Sequence, residues 1–155
     1  FMQYRNPIIL SFAIFFVSFL PAAGQTVKGN FARSAVSRGS IVKGIIVIDI
    51  PDGLHVNSSK PNSEYAIPTS VSIDTAGLRP ISVKYPEGTD RKFQFSETEL
   101  NVYEGKVIIP FSITVPKGFK GGKLAVRAVV QYQACTEEVC YAPKNKELIL
   151  TAAVR

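Results

Sequence analysis

Residues 123–134 read KLAVRAVVQYQA, and the alternation along them decides the fold. Leu124, Val126, Ala128, Val130, Tyr132 and Ala134 fall on one face, and Arg127, Gln131 and Gln133 fall on the other. Side chains along a β-strand point alternately to opposite sides, so this segment predicts a strand with one apolar and one wetted face. A sheet that faces water on one side is characteristically antiparallel.

Working outward, short β-rich runs recur between Pro, Gly, Asn and Asp punctuation. Ile41 to Ile50 (IVKGIIVIDI) is one, closed by Pro51-Asp52-Gly53. Thr69 to Ile73, Pro80 to Tyr85, Val107 to Val115, Lys123 to Cys135 and Glu147 to Val154 are the others. Residues 25–40 are polar and contain Gly and Ser, which predicts a frayed start or an edge strand. No amphipathic helical pattern lasts three turns. The expectation is an all-β chain, an immunoglobulin-like antiparallel β-sandwich with no helix longer than two turns. A small closed barrel is the alternative.

The N-terminus bears on compartment. Arg5 precedes an uncharged apolar run from Ile8 to Leu20, and Pro21, Ala22, Ala23 and Gly24 follow with small side chains. That order predicts a secretory signal peptide over 1–24 and a single domain over 25–155. A membrane anchor is the rival, but a spanning helix wants about 20 apolar residues and this run is shorter. The mature chain has no second segment of that kind, so no membrane span is expected in it. The chain carries a formal charge of +6 spread from end to end. Scattered basic residues favour solubility and give no nucleic-acid patch. An exported monomer is expected.

Export permits disulfides, and the chain has two cysteines, Cys135 and Cys140, in QYQACTEEVCYAP. They read as opposite arms of a hairpin with Thr136-Glu137-Glu138-Val139 as its loop. Cα separations near 5.5 Å would suit a bond between them. The alternation of the preceding strand places Cys135 on the Gln/Arg face, away from the core. A staple across so short a loop contributes only about 2 kcal/mol by chain entropy, which favours a working redox couple over a structural bond. Glu137 and Glu138 adjoin the pair; carboxylates raise a neighbouring thiol's pKa and slow its attack. They also read simply as solvated turn residues. One histidine and two cysteines at this spacing make no zinc site. No metal, phosphate loop or other cofactor is expected.

The motif YQAC, four residues, then CYAP resembles the cysteine motif of a known family, the N-terminal periplasmic domains of the thiol:disulfide interchange protein DsbD. A second stretch is similar too: Asp52-Gly53-Leu54-His55-Val56-Asn57-Ser58, then Lys60-Pro61, then Ile67-Pro68-Thr69-Ser70. Leu54 stands there where an aromatic is common. Tyr85-Pro86-Glu87-Gly88 and Tyr103-Glu104-Gly105-Lys106-Val107 resemble the family's central strands. The resemblance runs from Val27 to Arg155.

It implies an immunoglobulin-like sandwich whose Cys135 and Cys140 exchange electrons with thioredoxin-like periplasmic proteins, both donor and acceptors. It implies that partners link to Cys140 and that Cys135 resolves the mixed disulfide. It also implies a cap loop over the cysteines, here within Arg91 to Ser96, with Phe95 the first candidate shield and Phe93 the second. Ordinary inward-facing strand aromatics are the alternative for both. His55, the one histidine, could serve as proton acceptor near the pair, or be a partly buried, hydrogen-bonded strand residue. Tyr141 could shape the partner surface or pack in the core. With the chain ending after the last strand, electrons are expected from a separate protein. A second function class remains: an exported immunoglobulin-like binding module whose disulfide only holds a hairpin.

Overall fold

Alternating burial organises the long strands into two facing sheets. The computed structural model describes residues 24–75 and 77–155. The expected signal segment over 1–24 lies outside these residues except for Gly24. Twelve strands and no helix occur among the described residues: β1 (Thr26–Phe31), β2 (Ala35–Val36), β3 (Ile41–Asp49), β4 (His55–Asn57), β5 (Ser70–Asp74), β6 (Pro80–Val83), β7 (Thr89–Arg91), β8 (Leu100–Tyr103), β9 (Lys106–Thr114), β10 (Lys123–Tyr132), β11 (Ala134–Cys135) and β12 (Lys144–Val154).

The first sheet has the order β1-β3-β9-β6 and the second β2-β12-β10-β5. Every pairing is antiparallel except the short one between β2 and β12. Ile46, Ile48, Ile109 and Ile113 from the first sheet share one core with Leu124, Val126, Ala128 and Val130 from the second. Each such Ile, Leu or Val side chain contributes roughly 1.5–3 kcal/mol by leaving water. The chain is therefore an all-β, immunoglobulin-like sandwich. The segment over 25–40 supplies an edge strand to each sheet, β1 and β2.

Gly44 shows how closely the first sheet is packed. It sits opposite Phe111 in the β3–β9 register. A Cβ on Gly44 would stand 2.3 Å from the Phe111 ring, so only glycine lets that ring lie flat across the strand. Gly105 serves differently: at φ +65° it turns the chain from β8 into β9, a left-handed conformation that glycine takes without strain.

A third sheet, β11-β4-β8-β7, carries the cysteines. It forms because the strand expected from Lys123 to Cys135 does not continue in one sheet. β10 stays paired with β12 as far as Tyr132 opposite Lys144. Beyond Gln133, Ala134 pairs with Val56 and Cys135 with His55. The Gln133 carboxamide holds this corner. Its Oε1 accepts from Asn57 Nδ2 at 3.0 Å and from the Ile67 amide at 3.4 Å, and its Nε2 donates to the Tyr141 carbonyl at 3.1 Å. Strands that pass from one sheet to another reset which residues face inward. Ala134 and Cys135 are consequently both buried. The expected position of Cys135 on the wet Gln/Arg face is thus corrected.

Candidate functional site

The cysteines close the hairpin as a disulfide, Cys135–Cys140. The turn between them is tight. The Thr136 amide donates to the Val139 carbonyl at 2.8 Å, and Thr136 Oγ1 accepts from the amides of Glu138 and Val139 at 3.2 and 3.1 Å. On the other side the Tyr141 amide donates to the Ala134 carbonyl at 2.9 Å. Ladder bonds therefore flank the cysteine pair without passing through it. Such non-hydrogen-bonded pairs approach more closely than the roughly 5.5 Å of hydrogen-bonded ones. The observed Cα–Cα distance is 4.0 Å, shorter than the separation expected from the sequence.

The two sulfurs have different surroundings. Cys135 is 0% exposed, whereas Cys140 is half-buried. Cys140 borders an open cleft of about 540 Å³, with Asn57, Tyr65, Phe95, Leu100 and Gln133 among its walls. Tyr65 projects at its rim, 88% exposed.

On the other side of Cys135, directly across the ladder, stands His55, only 1% exposed. The Phe93 ring, 2% exposed, lies flat on the imidazole with centroids 4.1 Å apart and planes at 18°. Phe95, 39% exposed, stacks in turn on Phe93 at 5.3 Å and 13°. The structure thus brings Phe93 to the buried cysteine's neighbour and Phe95 to the cleft beside Cys140. Phe93 also belongs to a small apolar cluster with Leu100 and Val102.

The segment bearing these rings is tied at both ends. Lys92 donates its ammonium to the Glu97 carbonyl, and Ser96 Oγ donates to the Thr98 carbonyl at 2.7 Å. Arg91, at the end of β7, reaches further. Its guanidinium lies 5.6 Å from the Phe93 centroid and pairs with Glu104 at 2.7 Å and Glu137 at 3.0 Å. Glu137 is therefore paired with Arg91, which it shares with Glu104. Glu138 is an exposed turn residue. Tyr141 is half-exposed, outside the core.

Two buried polar side-chain atoms among the described residues lack a hydrogen-bond partner, His55 Nε2 and Asn57 Oδ1. Both belong to β4: His55 is Cys135's partner across the ladder, and Asn57 lines the cleft that Cys140 borders. An unsatisfied buried group costs about 1–3 kcal/mol. Burial pushes the His55 pKa below its ordinary value; Glu104 and then Glu137 oppose this, and Arg91 adds to it. The imidazole is accordingly neutral near pH 7. No cluster of three or more metal-binding side chains occurs among the described residues, and no helix long and apolar enough to cross a membrane occurs among them.

Arg91, Tyr65, Asn57 and Gln133 join the site without having been singled out from the sequence. Asn57 had a readable signal, since it lies two positions from His55 on one strand and shares its face. Arg91 was named only as the start of the cap stretch, and its pairing had no local signal because Glu137 lies 46 positions away.

The fold and the site define a class: an immunoglobulin-like sandwich bearing a disulfide at the edge of a small third sheet. The sequence profile of the family described as "Thiol:disulfide interchange protein DsbD, N-terminal" matches residues 25–152, and the chain belongs to that family.

Among solved structures, the reduced DsbD N-terminal domain of Neisseria meningitidis is similar at 21% identity and TM-score 0.50, covering 71% of this chain and 80% of that one. The N-terminal periplasmic domain of ScsB from Proteus mirabilis is similar at 14% identity and TM-score 0.59, covering 86% of this chain and 50% of that one. A Neisseria meningitidis complex between DsbD and PilB N-terminal domains aligns at 17% identity and TM-score 0.48, covering 72% and 77%. No curated protein sequence matches the chain.

Proposed function

We propose that the domain relays two electrons by thiol–disulfide exchange between thioredoxin-like proteins in the bacterial periplasm, as a monomer. One observation carries this reading: the disulfide joins a buried sulfur to a half-buried one that borders an open cleft walled in part by Phe95. Family membership supports it. A staple has no need of that asymmetry.

The chemistry follows from access. A thiolate of a reduced dithiol partner attacks the Cys140 sulfur, the Cys135–Cys140 bond breaks, and Cys135 leaves as a thiolate that takes up a proton. The partner's second thiol then attacks its own linked sulfur and releases Cys140, leaving the domain reduced and the donor oxidised. In the delivering half, Cys140 attacks an acceptor's disulfide and Cys135 closes the ring, which frees the reduced acceptor. Phe95 and Phe93 shield the pair until a partner docks in the cleft.

The competing reading is a binding module with a purely structural bond, and the reduction potential separates the two. A working couple is expected between about −270 and −120 mV, whereas a staple lies below about −300 mV. Titration against glutathione and dithiothreitol buffers, with alkylation of the free thiols, measures it. A value below −300 mV would sink the relay.

A further inference from the structure

The most strongly placed group outside the disulfide is His55. It is Cys135's partner in the β11–β4 register, and directly opposed residues of an antiparallel pair project to the same face. Both are sealed from water, and Phe93 covers the imidazole. His55 Nε2 nevertheless has no hydrogen-bond partner. In the disulfide neither sulfur carries a proton, so neither can donate to it. Reduction places an S–H on Cys135, a donor on the same face of the ladder as the His55 ring.

We propose that His55 is the acid–base group of this site, taking the proton from the Cys135 thiol as Cys135 attacks and returning it when Cys135 is expelled. The inference rests on the exchange reading and adds the group that lets a buried thiol react. In the closing step the proton passes from Cys135 to His55 Nε2, and the thiolate attacks the Cys140 sulfur. The Cys135–Cys140 bond forms while the bond from Cys140 to the partner breaks, and the partner leaves as a thiolate with the electron pair. The opening step is the reverse, with the proton returned from imidazolium to Cys135.

Three charged groups face this transfer. Glu104, following β8, and Glu137, in the cysteine turn, favour the imidazolium, and Arg91, at the end of β7, opposes it. Both carboxylates pair with Arg91, so the arginine moderates their pull on the ring. The arrangement follows the general logic of a nucleophile beside a base that a third group tunes.

The test uses reduced protein and a small aromatic disulfide, 5,5′-dithiobis(2-nitrobenzoic acid), so it does not depend on any protein partner. The first aryl thiolate released reports attack by the more accessible Cys140, and the second, independent of reagent concentration, reports ring closure by Cys135. In His55→Gln, closure should slow about 100-fold at pH 7, within the range of general-base catalysis, and its rate should rise with pH toward the thiol's own ionisation. The first phase should stay within about twofold, since no proton leaves Cys135 in it. Unchanged closure with an unchanged pH profile, or equal slowing of both phases, overturns the proposal.

A second measurement needs no substitution. With one histidine in the chain and any tag removed, the imidazole resonance titrates without ambiguity. His55 should titrate differently in the reduced and oxidised forms, because only the reduced form couples it to Cys135. Identical titration in both also overturns the proposal. Normal ring closure through His55 with no capture of a thioredoxin-like protein would refute the partner reading alone.

Discussion

Cys135 and Cys140 differ in what can reach them, and that difference predicts how single substitutions behave. With Cys135→Ala, Cys140 keeps its place at the cleft and loses the thiol that would displace a partner. A stable mixed disulfide with a thioredoxin-like protein is expected after acid quench and alkylation, visible as a reducible higher-mass band. Cys140→Ala leaves the buried Cys135, and its adduct should be several-fold weaker. Loss of the bond should cost at most about 2 kcal/mol, the loop-closure value for so short a ring. Equal trapping by both variants would contradict the assigned asymmetry. His55 carries a pH prediction at the same scale. Its folded pKa lies below the ordinary value of 6.5 because burial disfavours the cation. The unfolded chain therefore binds more protons between the two values. Stability is full above about pH 6.5 and is lost as pH falls through the folded pKa. Urea midpoints of the oxidised protein should fall between pH 7.5 and 5, and His55→Gln should flatten that slope.

The segment after β7, proposed as the cap, carries two rings in different surroundings. Phe93 is wedged between His55, Arg91 and the small cluster of Leu100 and Val102. Phe93→Ala should cost about 3 kcal/mol, the lower end for removing a buried aromatic. Phe95 stands half in solvent, and Phe95→Ala should change stability by less than about 1 kcal/mol. Its effect belongs to access: reduction of the disulfide by dithiothreitol should speed up several-fold at unchanged stability. Arg91 links the cap to the cysteine turn through Glu137. Exposed ion pairs of this kind contribute about 0–1 kcal/mol each and weaken with salt. Arg91→Met should accordingly leave the urea midpoint nearly unmoved, and it should remove any salt dependence of the reduction rate. A salt dependence that survives in the variant would mean that the latch lies elsewhere.

At the scale of the whole molecule the redox pair is set apart from the first large sheet: Cys135 belongs to the small third sheet, which meets the common core through Val56, Tyr103 and Ala134. Gly44→Ala tests this. Its methyl would overlap the Phe111 ring, and overpacking of that kind costs about 1–3 kcal/mol. The melting temperature should drop while the reduction potential of the pair stays where it was. The long strands were legible beforehand because one buried face imposes a period of two, as in Lys123 to Tyr132 and Ile41 to Asp49. The short strands β4, β7 and β8 were not, since three or four residues hold no period to read. The cysteine hairpin, the cap stretch and His55 could be picked out as candidates from local motifs. The sequence by itself therefore determined the fold class and which pair of sulfurs could meet. Tertiary structure alone decided that Cys135 is buried, that His55 lies across from it, and that Arg91 joins cap to turn. The physical reason is that alternation propagates only within one sheet. Where the chain passes from β10 to β11 at Gln133, the facing of Cys135 is set by its new neighbour β4, which lies far away in the sequence.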